Sequence, residues 1–194
     1  MKTFLSIFIG LVLLFTTAFS QDVKETESWY TYWGIGYAGT AFPSELQELV
    51  DSFTELDEEK TISLGLDLFG FYMHITPKTI GGFVVNTASK RVDVRGIELL
   101  KIRLYTYSAS MFHYFGESFG NGPFMRADVG YTSHKVENKI TESENKKDGW
   151  GVLAGGGWSF DFGGTRLLLN INYAVRGVEG DYFKTLGISA GGLF

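Results

Sequence analysis

The chain has 194 residues, no cysteine, 25 glycines and a formal net charge of −5, and 16% of its residues are aromatic. This length suits one domain, and the absence of cysteine excludes a disulfide scaffold and argues against a lipid anchor at a leading cysteine. The acidic balance, with Lys and Arg scattered and no basic stripe, excludes nucleic acid as the partner.

Residues 1–20 are predicted to be a secretory signal peptide. Lys2 supplies the positive start, Phe4 to Phe15 an apolar run too short to span a bilayer, and Ala18-Phe19-Ser20 the small residues read at cleavage. The mature chain is expected to begin at Gln21, with residues 21–28 a short segment ahead of the first strand.

Trp29 to Gly39 reads as that strand, with Trp33, Ile35 and Tyr37 on one face and Gly34, Gly36 and Ala38 on the other. Gly34-Ile35-Gly36-Tyr37-Ala38-Gly39 also matches G-x-G-x-x-G. A dinucleotide site needs a buried parallel strand before the glycines and a helix opening on the last of them. Here the flanking residues are aromatic and half polar, and Pro43 intervenes, so no cofactor is expected.

Residues 44–59 carry the helical signal. Ser44 and Gln47 have the spacing of a capping box, and Leu46, Leu49, Val50, Phe53 and Leu56 recur every three or four residues opposite an acidic face. The stripe is expected to rest on the protein's own core; the alternative is a docking element for an external partner.

Strands are then predicted over Thr61–Thr76, Thr79 to about Lys90, Ile97–Phe115 and a stretch around Met125–Thr132. The fourth strand is ambiguous in phase, since Leu100, Ile102 and Leu104 share one parity and Tyr105, Tyr107, Ala109 and Met111 the other; a bulge near Leu104 would reconcile them. Tight turns are predicted at Pro77-Lys78, Glu117–Gly122 and Gly163–Thr165. Longer or charged connections are predicted at residues 40–60, 91–96, 137–148 and 177–181.

Trp150 to Phe194 holds the last three strands. Between Arg166 and Arg176, the apolar Leu167, Leu169, Ile171, Tyr173 and Val175 alternate with a mostly polar set, and the sequence ends on Phe194. With the alternating long and short connections, this pattern resembles the small eight-stranded outer-membrane β-barrels of the OmpX and OmpA type. The resemblance implies an all-β, eight-stranded antiparallel transmembrane barrel over residues 29–194, with residues 21–28 periplasmic and the helix in the first long extracellular loop. It implies a cell outer membrane location, contact with outer-membrane lipids and lipopolysaccharide, and recognition of Phe194 by the barrel-assembly machinery. Two positions depart from the pattern: Gly192 stands where an aromatic is common, and Lys184 must sit near the outer interface and snorkel.

A soluble lipocalin-like barrel is the rival fold. Aromatics near strand ends (Trp29, Tyr37, Tyr72, Tyr105, Phe115, Tyr131, Trp150, Phe162, Tyr182) favour the membrane barrel, as girdles at the two interfaces. Arg126, Asp128, Asp161, Arg166 and Arg176 suit a polar lumen closed by salt bridges better than a greasy calyx. Eight strands leave an interior that side chains fill, so the function is expected to be structural or to lie in surface interactions through the extracellular loops. A monomer is expected.

A lipid A deacylase-like enzyme is the alternative from another class. It needs a nucleophile and a base in hydrogen-bond reach. Ser110 and His113 have opposite strand parity, and His74 and His134 belong to no recognised signature. No catalytic, cofactor-binding or metal site is therefore assigned, and no cofactor.

Overall fold

In the computed structural model, which describes residues 29–54, 59–116, 118–138 and 143–194, alternation becomes closure. The expected signal peptide and the segment 21–28 lie outside these residues. Eight antiparallel strands pair in sequence order, β1 (Trp29–Ala41), β2 (Glu59–Thr76), β3 (Thr79–Val94), β4 (Ile97–Tyr114), β5 (Gly122–Asn138), β6 (Ser143–Asp161), β7 (Arg166–Val178) and β8 (Asp181–Leu193). β1 pairs with β8 to complete the barrel, which leaves no sheet edge unpaired. Phe194 and Thr31 exchange backbone hydrogen bonds of 2.9 and 3.0 Å, so the last residue is tied to the first strand.

The outer surface decides between the two barrel classes. Ile35, Val129, Ile171 and Ile188 are each at least half exposed and form an apolar band. At the end of the barrel where β1 begins and β8 ends, Trp29 stacks on Phe71 at 5.5 Å and Trp33 on Phe194 at 6.2 Å, while Trp158 and Phe162 face outward nearby. Towards the other end, Tyr107 lies 6.5 Å from Tyr131, and Trp150 meets Tyr182 edge-on at 6.3 Å. An apolar belt between two aromatic rings is a surface for hydrocarbon, and in water it would be a single very large exposed patch. Tyr72 is an exception among the aromatics assigned to the girdles. It points inward, fully buried, and donates to Ser110.

Gly192 has a local explanation. A Cβ there would come within 2.6 Å of the Phe194 ring, so the missing side chain makes the space in which Phe194 lies against Trp33.

The fourth strand contains no bulge near Leu104. Its pairing with β5 runs unbroken from Leu100↔Asn138 to Tyr114↔Phe124, and the irregularity against β3 lies at Val92/Asp93. Even-numbered side chains point inward throughout, from Leu100, Ile102 and Leu104 to Thr106, Ser108 and Ser110. Within the belt the outside is lipid and the inside polar. Beyond the belt the outside is water, and the inside is apolar because the helix covers it. The hydrophobic face changes sides while the backbone phase does not.

A bulge does occur in β2. Phe69 has φ 52° and is 81% exposed, and pairing shifts by one residue against both neighbours there. The inward parity changes from Asp67 to Gly70 and Tyr72 across it, as an inserted residue requires.

The expected long connections at 91–96 and 177–181 are instead two-residue hairpins. Arg95-Gly96 (φ 51° and 78°) joins β3 to β4, and Glu179-Gly180 (φ 48° and 96°) joins β7 to β8. Two successive positive φ values match the strand twist. Most of 137–148 is also strand, with β5 and β6 paired as far as Asn138↔Ser143. Strands of up to 19 residues therefore outrun the membrane. At ~3.3 Å per residue and ~40° tilt, 18 residues reach ~45 Å along the axis against a belt of ~25 Å.

The long connection carries helix α1 (Ser44–Thr54). Its first hydrogen bond runs from the Gln47 N–H to the Pro43 carbonyl at 2.8 Å, and the Gln47 side chain reaches forward to Asp51, so the predicted capping box does not form. Glu59 belongs to β2, and residues 55–58 of the predicted helix lie outside the described residues.

Candidate functional site

The barrel interior is layered, and each layer bears on what can pass through it. Nearest the termini is an apolar and aromatic layer that includes Tyr30, Tyr32, Tyr72, Phe112, Tyr114 and Leu168. Arg166 lies here, in no ion pair among the described residues. Its guanidinium sits 5.0 Å from the ring centres of both Tyr30 and Phe119, a cation–π sandwich. Gly120, at φ +80°, has no Cβ to collide with it.

The second layer is charged. Arg126 donates to Asp67 (2.6 and 3.2 Å) and to Asp128 (2.8 and 3.1 Å), and its guanidinium lies between the rings of Phe112 and Tyr32 at 5.2 and 5.5 Å. Asn86 donates to both aspartates at 3.1 Å, Tyr32 donates to Asp67, and Ser110 to Asp128. Ser108 completes the set by donating to Asn86. Two carboxylates and a guanidinium are thus fully buried, and neighbouring side chains take up their remaining hydrogen-bonding capacity, the condition under which buried charge is tolerated.

This network differs in membership from the one expected. Arg126 and Asp128 belong to it. Asp161 does not: it is exposed at the end of β6, and its carboxylate accepts from the Gly163 N–H at 2.9 Å to close the turn. Arg176 is buried one layer further on and donates to Thr106 (2.8 Å) and Thr185 (3.0 Å). It faces a cavity of about 50 Å³ whose lining includes Asp67, Asn86 and Asn172. With Arg176, the interior charges of Arg126, Asp67 and Asp128 sum to zero, two positive against two negative. Asp67 was not among the residues expected in the network, although alternation before the bulge sets it on the polar face of β2 with Ser63 and Gly65, opposite Leu64, Leu66 and Leu68.

Beyond the belt, α1 roofs the barrel. Val50 and Phe53 are buried against Val92, Leu100 and Ile102, and Leu46 packs towards Leu104, Val178 and Phe183. The predicted apolar stripe therefore meets the protein's own core, leaving Glu45, Glu48 and Asp51 in solvent. Between α1 and the projecting parts of β5 to β8 lies a cleft of about 560 Å³, walled by Leu46, Leu49, Val136, Val178 and Phe183. His134 lines it, 5% exposed and with its ring 4.7 Å from that of Phe183. Its Nε2 is buried and has no hydrogen-bond partner among the described residues. His134 lies three residues past Tyr131 on β5, outside the belt. Burial first, and then the nearby Lys147 ammonium, push its pKa down to about 4, so the ring is neutral at neutral pH.

The other histidines are remote from it. His74, near the termini, lies 3.0 Å from the Tyr30 hydroxyl and packs on Phe119; His113 pairs with Thr79 at 2.9 Å. Ser110 points inward to Tyr72 and Asp128, away from His113, as strand parity predicts. Glu137 pairs with Arg103 and Lys135. Among the described residues no serine, histidine and carboxylate are arranged as a nucleophilic triad. The G-x-G-x-x-G segment is barrel wall, so no helix opens on Gly39.

No family model and no curated protein matches the chain. Among solved structures it is similar to Ail, the attachment invasion locus protein of Yersinia pestis, with a TM-score of 0.52 and 16% identity over 87% of this chain and 100% of that one. Neisserial surface protein A aligns with a TM-score of 0.49 at 16% identity, covering 84% and 95% of the two chains. OprG, an outer membrane protein of Pseudomonas aeruginosa, aligns at 0.44 and 12% identity, covering 86% and 96%. The closed eight-strand order, the lipid-facing belt and the likeness to Ail lead to one conclusion: the chain has the fold of the small eight-stranded outer-membrane β-barrels.

Proposed function

We propose that this protein is a closed, non-enzymatic barrel that acts at its helix end, which faces the cell exterior, in surface interaction or as a structural element of the outer membrane. The observation that carries this reading is the interior: an aromatic layer, the Arg126–Asp67–Asp128 layer and the α1 roof stand in series along the axis. A lumen filled in this way offers no path for solutes, so function falls to the surfaces. The helix end has the greater surface in water, because its strands outrun the belt. This orientation is supported by the connection from β1 to β2 that carries α1, the longest in the barrel, since bacterial barrels place their longer loops outside.

Cysteine labelling of intact cells tests the topology. A Cys at exposed Glu48 is expected to react with a membrane-impermeant maleimide and one at buried Val50 to be protected. Silence at both positions would overturn the orientation, and equal reaction at both would favour an undocked helix serving an external partner. Ail has been crystallised with a heparin analogue, sucrose octasulfate. The exposed face of α1 bears Glu45, Glu48 and Asp51, which repel a sulfated ligand, so that chemistry is not carried over.

Phe194 is proposed to be read by the barrel-assembly machinery during insertion. Its backbone pairs with Thr31 and its ring lies on Trp33, at the seam where β1 meets β8. Deleting it is expected to lower the yield of folded barrel in the outer membrane several-fold while export continues. Undiminished yield, scored by the gel mobility of unheated samples, would refute this.

A further inference from the structure

We infer that the cleft between α1 and the projecting ends of β5 to β8 is a binding site for a small, neutral molecule with an apolar body and one hydroxyl or N–H group, which His134 holds. This deepens the surface-interaction reading by naming a ligand class. Three observations point the same way. The cleft, at about 560 Å³, has the size of small-molecule sites, and its lining is half apolar, through Leu46, Leu49, Val136, Val178 and Phe183, and half polar. Inside it, the buried Nε2 of His134 lacks a partner. An unsatisfied buried polar atom is costly, and among the buried atoms without a partner in the described residues that of His134 is the one that borders this cleft. The Phe183 ring, 4.7 Å from the imidazole, adds a flat wall beside that atom.

The charges around the cleft select against ions. Lys147 pairs with Glu179 at 3.3 Å, leaving Glu45 and Asp181 on the lining. An anionic ligand meets Glu45 and Asp181 on the lining, and a cationic one meets the Lys147 ammonium there. A neutral molecule avoids both costs. A neutral imidazole nitrogen serves as acceptor to a hydroxyl or N–H, or as donor in its other tautomer.

N-phenyl-1-naphthylamine is a suitable probe: apolar, neutral, fluorescent in apolar surroundings and provided with one N–H. With the purified full chain in nanodiscs, the titration is expected to show one saturable site per barrel. Leu49→Trp, which fills the cleft, is expected to remove it. His134→Phe is expected to bind the amine about three- to tenfold more weakly, the worth of one hydrogen bond. The same variant should leave unchanged the displacement of the probe by 1-phenoxynaphthalene, which has the shape without the N–H. Gel mobility of unheated samples verifies that each variant is folded. Uptake that is linear and equal in wild type and Leu49→Trp would overturn the site, and equal affinity of wild type and His134→Phe would overturn the role of His134. Because the titration does not depend on orientation in cells, a negative result together with a reactive Cys at Glu48 and a protected one at Val50 would reject the site and leave the topology standing.

Discussion

Replacing Arg126 by Met is expected to destabilise the barrel by about 3–5 kcal/mol, measured by reversible urea unfolding in lipid vesicles. The side chain is fully buried and is the shared cation of Asp67 and Asp128, so its loss strands two carboxylates in a dry interior. Arg176 cannot replace it, since its guanidinium is held by Thr106 and Thr185. The penalty belongs to the carboxylates left behind rather than to the arginine, and this gives a second expectation: Arg126→Met combined with Asp67→Asn and Asp128→Asn should recover much of the loss. A single variant that loses less than about 1 kcal/mol would show that the charged layer is solvated, and the closed interior would go with it.

Ile171→Arg is expected to cost about 2–4 kcal/mol, the penalty for a cation on the lipid face near the bilayer midplane. Ile171 is 60% exposed, and in a soluble protein a substitution at so open a site would be nearly neutral. The control is Ile97→Arg, 63% exposed and outward on β4 but beyond the belt beside the Arg95-Gly96 hairpin, where the outer surface meets water. Its effect should lie within about 0.5 kcal/mol of zero. Equal effects at the two sites would contradict the position of the belt, and no effect at either would contradict a lipid-facing exterior.

The contrast between these sites also shows why strand phase was hard to read in β4. Leu104 and Tyr107 have opposite parity and both are hydrophobic, because Leu104 faces the helix-covered interior and Tyr107 faces lipid. A period-two pattern reports which residues share a face, but not which solvent that face meets.

Local sequence determined the strands, their number and the helix. Alternation over Arg166–Arg176, turn residues at Pro77-Lys78 and Gly163–Thr165, and the Leu46, Leu49, Val50, Phe53 stripe are properties of neighbouring residues, and the fold preserved them. The opposition of Ser110 and His113 was equally legible, since parity is local. Tertiary structure decided what depends on partners distant in sequence. Arg95 and Glu179 adopt positive φ because the strands on either side remain paired, which turned two expected loops into hairpins. Asp67 became the partner of Arg126, 59 residues away, a contact made across the lumen of the closed barrel that no local pattern announces. Asp161 and Arg166 left the charged layer because the turn and the Tyr30–Phe119 pair lie nearer to them than any opposite charge in the lumen. The cleft at His134 is further still from the sequence, since its walls come from the helix and four strands and exist only once the barrel has closed.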